Sequence, residues 1–162
     1  MVVLVARIPD SDHQFSADIQ KNLLIYILPM TTIEKPTDYF GLHIPFLAHL
    51  GVVPEFAKDG QSRISLIIKP EFENSFQIAH GGVIMTLLDF AMGAAARSTR
   101  SLAMGAMTID MSVSFLRPSI GKIIVEGSVL KAGRSINYCE AVVLNAAGEI
   151  TAKSSGTFIL RD

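Results

Sequence analysis

Residues 83–97 form the most distinctive pattern in the chain, because apolar side chains occupy every side of a helix built from them. Alanine, leucine and methionine dominate the stretch, and all three are strong helix formers. A helix that is apolar around its whole circumference is buried within a protein or lies in a membrane. About 20 apolar residues are needed to span a bilayer, and this stretch is shorter. The pattern therefore predicts a central helix that is buried on all sides.

Four stretches after this helix are predicted to be β-strands. In the first of them, apolar and polar positions alternate strictly from Met107 to Phe115, which is typical of a strand with one buried face. The turns at 133–135 and 145–148 are short, so the strands that they join should pair antiparallel. One further strand is predicted before the helix. The predicted strands are 63–69, 107–117, 122–131, 136–145 and 149–160.

One apolar helix and five antiparallel strands predict an α+β fold, since the sheet must curve around the helix to cover it. Thr37 and Asp38 can cap a short earlier helix from Tyr39 to Leu50. Residues 38–162 are therefore predicted to form one domain.

Residues 1–37 show no clean period and are predicted to be an N-terminal extension that is peripheral or not native. In the second case residues 1–29 would not belong to the natural protein, which would start at Met30. The apolar run 23–28 could be the core of a signal peptide. Three aspartates precede that run and its cationic start is thin, which argues against this interpretation.

The charge balance argues against nucleic acid as a partner, because 14 basic residues nearly balance 15 acidic ones without a basic tract. The single cysteine, Cys139, excludes an internal disulfide and a multi-cysteine metal site, and is compatible with a cytoplasmic location. His43 and His49 lack the helical spacing of metal ligands, so we predict no metal site. We also expect no membrane partner. The high apolar share favours a buried subunit interface.

Asp89 is the one acidic residue in the apolar helix. An ionised carboxylate in an apolar interior is costly unless it is paired or hydrogen-bonded, and the helix offers no cation within one turn. The compensation must come from elsewhere in the fold, from a second subunit or from water in a cleft. Asp89 is either a structural anchor or a functional nucleophile or general base. Because aspartate is a poor helix former, its position in mid-helix favours function.

His80, Gly81 and Gly82 lie where this helix is predicted to begin. Backbone N–H groups at a helix N-terminus lack intrahelical acceptors, and the helix dipole adds positive potential. Glycine also lets a ligand approach the backbone closely. The segment is either an ordinary turn before a helix or a site for a substrate carbonyl and the oxyanion that forms from it.

Asn74 precedes His80 by six residues, and Asp89 follows it by nine. With the segments 110–118, 133–135 and 156–158, this pattern resembles the hot-dog acyl-CoA thioesterases of the phenylacetate-degradation (PaaI-like) type, which include hydroxybenzoyl-CoA thioesterases. The likeness runs from about Phe40 to the C-terminus.

The resemblance implies a hot-dog fold, in which an antiparallel sheet of five to six strands wraps one long central helix. It also implies a homodimer or homotetramer with active sites at the dimer interface. The reaction implied is hydrolysis of an acyl- or aryl-CoA thioester to a free acid and CoA. CoA enters as part of the substrate, and no further cofactor is implied.

The resemblance assigns roles to individual residues. Asp89 would be the nucleophile or general base, and Asn74 would orient the attacking water or the nucleophile. The N–H of Gly81 would polarise the thioester carbonyl, and His80 would hold the helix start. Asn74, His80 and Gly81 would come from one subunit and Asp89 from the other. Thr108 falls where some relatives carry a hydroxyl that assists water.

Further residues are predicted to contact the substrate, although each could equally have a structural place. Gly82 belongs to the helix start. Cations for the CoA phosphates are Lys131, Arg134 and Arg117, with Arg97 and Arg100 as further candidates. Candidates for an acyl pocket are Leu87, Leu88, Met92, Met104 and Met107.

Three other functions fit parts of the pattern. A non-catalytic acyl-CoA-binding hot-dog domain would keep the pocket and lose the chemistry, which the set of Asn74, Gly81 and Asp89 disfavours. A hot-dog hydratase or dehydratase usually pairs histidine with a carboxylate in another arrangement. A structural interaction protein would leave the mid-helix Asp89 unexplained.

Overall fold

The computed structural model describes residues 38–100 and 105–161. Predictions for residues 1–37 and for Met104 lie outside the described residues. The described chain has two α-helices, α1 (Pro45–Leu50) and α2 (Gly81–Ser98), and a short 3-10 helix at Pro70–Phe72. Its strands are β1 (Val53–Lys58), β2 (Gln61–Ile67), β3 (Gly105–Phe115), β4 (Lys122–Ala132), β5 (Ile136–Leu144) and β6 (Ile150–Arg161).

The six strands form one antiparallel sheet in the order β1-β2-β4-β5-β6-β3. The helix α2 contacts every one of them. Strands about 4.8 Å apart would make a flat sheet of this size about 24 Å wide, roughly twice the diameter of a helix. The sheet therefore curves around α2, which confirms the predicted hot-dog fold.

The core lies between α2 and the concave face of the sheet. Leu87, Leu88 and Met92 on α2 are fully buried. The sheet covers them with alternate residues of its strands, such as Ile64 on β2 and Val125 on β4. One side of α2 stays open in the single chain, so the prediction of a helix buried on all sides is wrong. No helix in the described part of the chain is long and apolar enough to cross a membrane.

The predicted helix from Tyr39 to Leu50 is wrong over its first half. Phe40 and Gly41 have positive φ angles of 57° and 85°, which no right-handed helix contains. Ile44 is extended, and the helix begins only at Pro45, in the first-turn position that proline favours. The segment before Pro45 therefore crosses α2 as a turn rather than as a helix.

The strand β1 was not predicted, and β2 begins earlier in the chain than predicted. The two strands form a hairpin whose turn residues, Asp59 and Gly60, have φ angles of 52° and 78°. Aspartate followed by glycine is a strong sequence signal for such a turn. Pro54 obscures the strand, and it is tolerated because β1 is an edge strand. The four strands predicted after the helix are confirmed.

Gly127 on β4 is expected to be essential for the packing of the sheet on α2. A Cβ atom at this position would lie 2.5 Å from the carbonyl oxygen of Ala91 and 2.6 Å from its carbon. The same carbonyl accepts a hydrogen bond of 2.7 Å from Ser62 Oγ, so the helix backbone cannot easily shift. We expect Gly127→Ala to lower the free energy of unfolding by about 3 kcal/mol, as overpacked cores do.

Urea unfolding measures this effect, with Gly105→Ala as the matched control. Gly105 also lies in a strand, but a Cβ atom there meets no other atom of the described residues within 4 Å. The control should change the free energy of unfolding by less than about 0.5 kcal/mol. A Gly127→Ala protein that unfolds at the wild-type urea concentration would contradict the close approach of β4 to α2.

Candidate active site

Asp89 projects from α2 toward β3, where it finds the partner that its own helix does not supply. Thr108 Oγ1 donates a hydrogen bond of 2.6 Å to Asp89 Oδ1. A bulge at Ile109 shifts the register of β3 against β6 directly after Thr108, and bulges of this kind commonly redirect side chains at functional sites. The other carboxylate oxygen, Oδ2, accepts no hydrogen bond within residues 38–100 and 105–161. Asp89 thus has one oxygen fixed and one available to water or substrate.

A cavity of about 290 Å³ opens beside this carboxylate. The predicted acyl-pocket residues Leu87, Leu88 and Met92 do not line it, because they face the sheet and are fully buried in the core. Its apolar wall comes from the segment around α1, from α2, and from β3 and β6. These residues are Leu42, Ile44, Phe46, Leu47, Phe90, Gly93, Ala94, Ala106 and Phe158.

The start of α2 leaves one backbone donor free. His80 is the N-cap residue, and its Nδ1 accepts a hydrogen bond of 3.0 Å from the Gly82 N–H. The Gly82 carbonyl accepts from Thr86 Oγ1, so Gly82 offers little polar contact to a substrate. The N–H of Gly81, the first residue of the helix, meets no acceptor within the described residues. This arrangement fits the predicted role of His80 in holding the helix start.

Asn74 lies in the tight turn before α2. Its Oδ1 accepts a hydrogen bond of 2.9 Å from the Phe76 N–H, and its own N–H donates to the Ile78 carbonyl. These bonds fix the side chain and leave its Nδ2 amide group as a donor. Asn74, Gly81 and Arg117 border a second cavity, of about 370 Å³.

The predicted catalytic residues therefore form two groups in one chain. Asp89 and Thr108 border the first cavity, and Asn74 and Gly81 border the second. Eight residues separate Gly81 from Asp89, which corresponds to about 12 Å along the helix axis. Neither group alone holds both the carboxylate and the free N–H donor.

The predicted cations lie at opposite ends of the fold. Arg117 lies at the helix start, where its Nη1 donates to the Ile150 carbonyl at 3.0 Å. Lys131 and Arg134 are exposed around the turn between β4 and β5. That turn lies at the other end of α2, since Arg100 Nη2 donates to the Arg134 carbonyl.

Cys139 is not a candidate nucleophile, because it is fully buried on β5. Burial raises the pKa of its thiol to about 11, so the reactive thiolate is scarce at neutral pH. Residues 38–100 and 105–161 contain no group of three or more histidine, cysteine, aspartate or glutamate side chains that could hold a metal ion.

The sequence matches the thioesterase superfamily over residues 76–152. A protein of Halobacterium salinarum that is provisionally named an esterase is 35% identical over 126 residues, which cover 75% of this chain and 81% of that protein. The chain belongs to the thioesterase superfamily.

Two solved structures show how well this superfamily member matches known folds. The PaaI protein of E. coli, from the phenylacetic acid degradation operon, is 19% identical with a TM-score of 0.68, over 74% of this chain and 86% of that one. The smu.793 protein of Streptococcus mutans, solved with acetyl-CoA bound, is 23% identical with a TM-score of 0.62, over 68% and 88% of the two chains. At these identities the likeness shows the fold alone.

Several residues of this thioesterase-superfamily site escaped the sequence analysis. Phe46, Phe90 and Phe158 line the cavity at Asp89 from three distant parts of the chain. Part of the cavity lining could have been predicted from the sequence, because the residues of α2 that line the cavity recur every three or four positions and so share one side of the helix. This stripe contains Thr86, Asp89, Phe90, Gly93 and Arg97.

Proposed function

We propose that this protein hydrolyses acyl-CoA thioesters, with Asp89 as nucleophile or general base. The observation that carries the proposal is the position of Asp89, a lone carboxylate in an apolar helix with one oxygen held by Thr108 and the other facing a cavity. In the described chain, no arginine forms an ion pair with Asp89. A carboxylate presented in this way is suited to nucleophilic or general-base catalysis.

The reaction adds water across the thioester bond. Asp89 either removes a proton from a water molecule that attacks the carbonyl carbon, or attacks that carbon itself to give an anhydride that water then opens. The carbonyl oxygen becomes an oxyanion that the Gly81 N–H stabilises. When the C–S bond breaks, the sulfur leaves as a thiolate and takes up a proton. The products are a carboxylic acid and free CoA.

A second subunit would unite the two groups of residues. Among the strands of the described residues, β3 lies at an edge of the sheet and pairs only with β6. It exposes a long free edge with large apolar side chains, and monomeric proteins rarely leave such an edge uncovered. Met107, Ile109 and Phe115 are each 55% exposed on it. Pairing of two β3 strands across a two-fold axis would cover this edge and continue the sheet.

The same two-fold pairing would bring a helix start to Asp89. A Cβ atom on Gly81 would lie 3.4 Å from the Phe115 ring, so the end of β3 and the start of α2 are neighbours. If the two-fold axis crosses β3 midway between Thr108 and Phe115, the partner subunit's Phe115 lies opposite Thr108. The partner subunit's Gly81 would then approach Asp89. The minimal active unit is accordingly a homodimer, on its own or within a homotetramer.

CoA as part of the substrate is supported by a structural neighbour, since the smu.793 protein of Streptococcus mutans holds acetyl-CoA. In this chain Arg117 lies beside the cavity of Asn74 and Gly81, where it could contact a CoA phosphate. Lys131 and Arg134 remain candidates for the same task on the exposed turn between β4 and β5.

The test is release of free thiol from a panel of aryl and aliphatic acyl-CoAs, including phenylacetyl-CoA and 4-hydroxybenzoyl-CoA. Turnover of the two aryl thioesters above the aliphatic ones would support the PaaI-like subtype. Binding of acyl-CoA without thiol release from any member would overturn the proposal and favour a non-catalytic acyl-CoA-binding domain.

A mixed-subunit experiment tests whether the site is shared. Asn74→Ala and Asp89→Ala should each be inactive alone, but a mixed dimer carries one site with both residues intact. For equal amounts that exchange freely, half of the dimers are mixed and each has one working site of two. We therefore expect about a quarter of the wild-type activity per subunit after co-expression.

The control is a mixture of the same two proteins purified separately and assayed before their subunits exchange, which should stay inactive. If both residues acted from the same subunit, co-expression would restore nothing. That result would disprove the shared site and leave hydrolysis itself untouched.

A further inference from the structure

Arg97 lies in the cavity of Asp89, where the proposed hydrolysis has no task for it. It follows Asp89 by eight residues on α2, which corresponds to about two turns or 12 Å along the helix axis. Between the two lie Phe90, Gly93 and Ala94, which give the cavity an apolar floor. The cavity is therefore polar at both ends and apolar in between.

The guanidinium of Arg97 has few partners in the protein. Its Nη2 donates a long hydrogen bond of 3.3 Å to the Phe40 carbonyl. Its Nε is buried without a hydrogen-bond partner, and Arg97 forms no ion pair with any carboxylate of the described chain. Burial lowers the pKa of Arg97, because loss of water disfavours the charged form. It nevertheless stays protonated at neutral pH.

Within residues 38–100 and 105–161, the side chains around Arg97 do not neutralise its charge. On the side away from Asp89, Arg97 faces a cavity that also receives Lys58, Asp59 and Arg100. The only acid among these, Asp59, is paired with Lys58 at 3.6 Å, so the net charge of that cavity is positive. A partly buried cation without a counter-ion is costly, and a ligand that brings a negative charge would remove the cost.

We propose that Arg97 recognises a carboxylate at the far end of the acyl group, so that the preferred substrates are CoA monothioesters of dicarboxylic acids. This inference rests on the proposed thioesterase function. A carboxylate matches the paired N–H donors of a guanidinium and would supply the negative charge that Arg97 lacks in the described chain. The CoA phosphates carry the same kind of charge, and the neutral thioesters compared below distinguish the two sources, because they bring the same phosphates without a second carboxylate.

The spacing of the two charged residues fixes where the substrate carboxylate must lie. Asp89 repels a carboxylate close to the thioester, whereas Arg97 attracts one at the distal end of the cavity. The backbones of the two residues lie about 12 Å apart along the helix axis, so a chain of methylene groups must separate the substrate carboxylate from the thioester. The apolar floor between them would contact the methylene groups of the acyl chain.

The test compares matched pairs of thioesters that differ only in the terminal group: succinyl- with butyryl-CoA, adipyl- with hexanoyl-CoA, and suberyl- with octanoyl-CoA. Both kcat/KM and the Kd for binding are measured for wild type, Arg97→Gln and Arg97→Met. In wild type the carboxylated member of at least one pair should be preferred. Both variants should lower kcat/KM for that member by about 30-fold or more, as expected when one partner of a buried charge pair is lost.

The neutral members should change by less than about threefold, because they make no contact with the charge. Unlike Arg97→Met, Arg97→Gln keeps a donor for the Phe40 carbonyl and should therefore preserve the fold. Lys58→Gln removes a cation that borders only the other cavity and should leave both series unchanged. Equal losses for carboxylated and neutral members would make Arg97 a structural residue and overturn the inference.

The inference and the proposed function fail in different ways. If wild type hydrolysed the neutral member of all three pairs as fast as the carboxylated member, the inference would be overturned and the thioesterase function would stand. If no thioester were hydrolysed, the Kd values would still test the inference about Arg97. Arg97→Gln should weaken binding of adipyl-CoA and not of hexanoyl-CoA.

Discussion

Replacement of Asp89 by alanine is expected to reduce kcat for thioester hydrolysis by about 10²- to 10⁴-fold, the usual loss when an acid–base group is removed. Alanine offers no group that can activate water. It also removes the acceptor of the 2.6 Å hydrogen bond that Thr108 donates. Asp89→Asn tests the same point with an isosteric side chain that lacks the negative charge, and should be similarly inactive. Thiol release under saturating acyl-CoA measures both.

The stability of Asp89→Ala separates a catalytic carboxylate from a structural one. Alanine is a better helix former than aspartate by roughly 0.5 kcal/mol, and the change also removes the cost of holding a carboxylate beside an apolar cavity. Together these gains offset the lost hydrogen bond, which is worth about 1 kcal/mol. We expect the variant to unfold at the wild-type temperature or slightly above it, as is common when a catalytic residue is removed. Loss of activity together with a clearly lowered Tm would instead make Asp89 a structural anchor.

Asp59→Asn is the matched control for the loss of one negative charge. Asp59 is exposed in the β1–β2 turn with a φ angle of 52°, a conformation that asparagine adopts readily. The control should retain wild-type kcat and Tm. A comparable loss of activity in this variant would show that net charge, and not the position of Asp89, governs the reaction.

The fold followed from the sequence wherever one period extended over a long stretch. The apolar run of α2 reflects a face in contact with the core. The alternation from Met107 to Phe115 marks the strand correctly, but of its apolar residues only Met111 and Val113 pack against the core, and the others are exposed. The early helix failed for the opposite reason. Phe40, Ile44 and Leu47 have helical spacing, but they are partly or fully buried through a turn at Gly41 and a helix that starts only at Pro45. Apolar spacing alone does not separate these arrangements.

The polar residues of the site were easier to predict than its walls. Asp89 and Gly81 could be singled out from their residue types and their positions in the helix, whereas Asn74 was singled out only through the resemblance. The structure places Asp89 at one cavity and Gly81 and Asn74 at another. The acyl-pocket candidates Leu87, Leu88 and Met92 were wrong because neighbouring residues on a helix point about 100° apart, and these three face the sheet. Phe90, one residue after Asp89, faces the cavity instead.

Gly81→Pro is expected to reduce kcat by about 10²- to 10³-fold, the loss that follows removal of one oxyanion donor. Proline has no backbone N–H, and Gly81 carries the donor at the helix start that has no acceptor in the described chain. The fold should tolerate the change, because proline is favoured at the first helical position. His80 before it has a φ angle of −61° and a ψ angle of 135°, which suits a residue that precedes proline.

Gly81→Ala is the matched variant, since it adds a side chain at the same position and keeps the N–H. Its Cβ atom would lie 3.4 Å from the Phe115 ring, an ordinary van der Waals contact. We expect it to retain activity within about tenfold of wild type, because a single lost or added methyl group is worth only about 1 kcal/mol. Measurement of kcat and Tm for both Gly81 variants tests this prediction. Equal activity losses in both variants would mean that the glycine matters for space, and the oxyanion would then need a different donor.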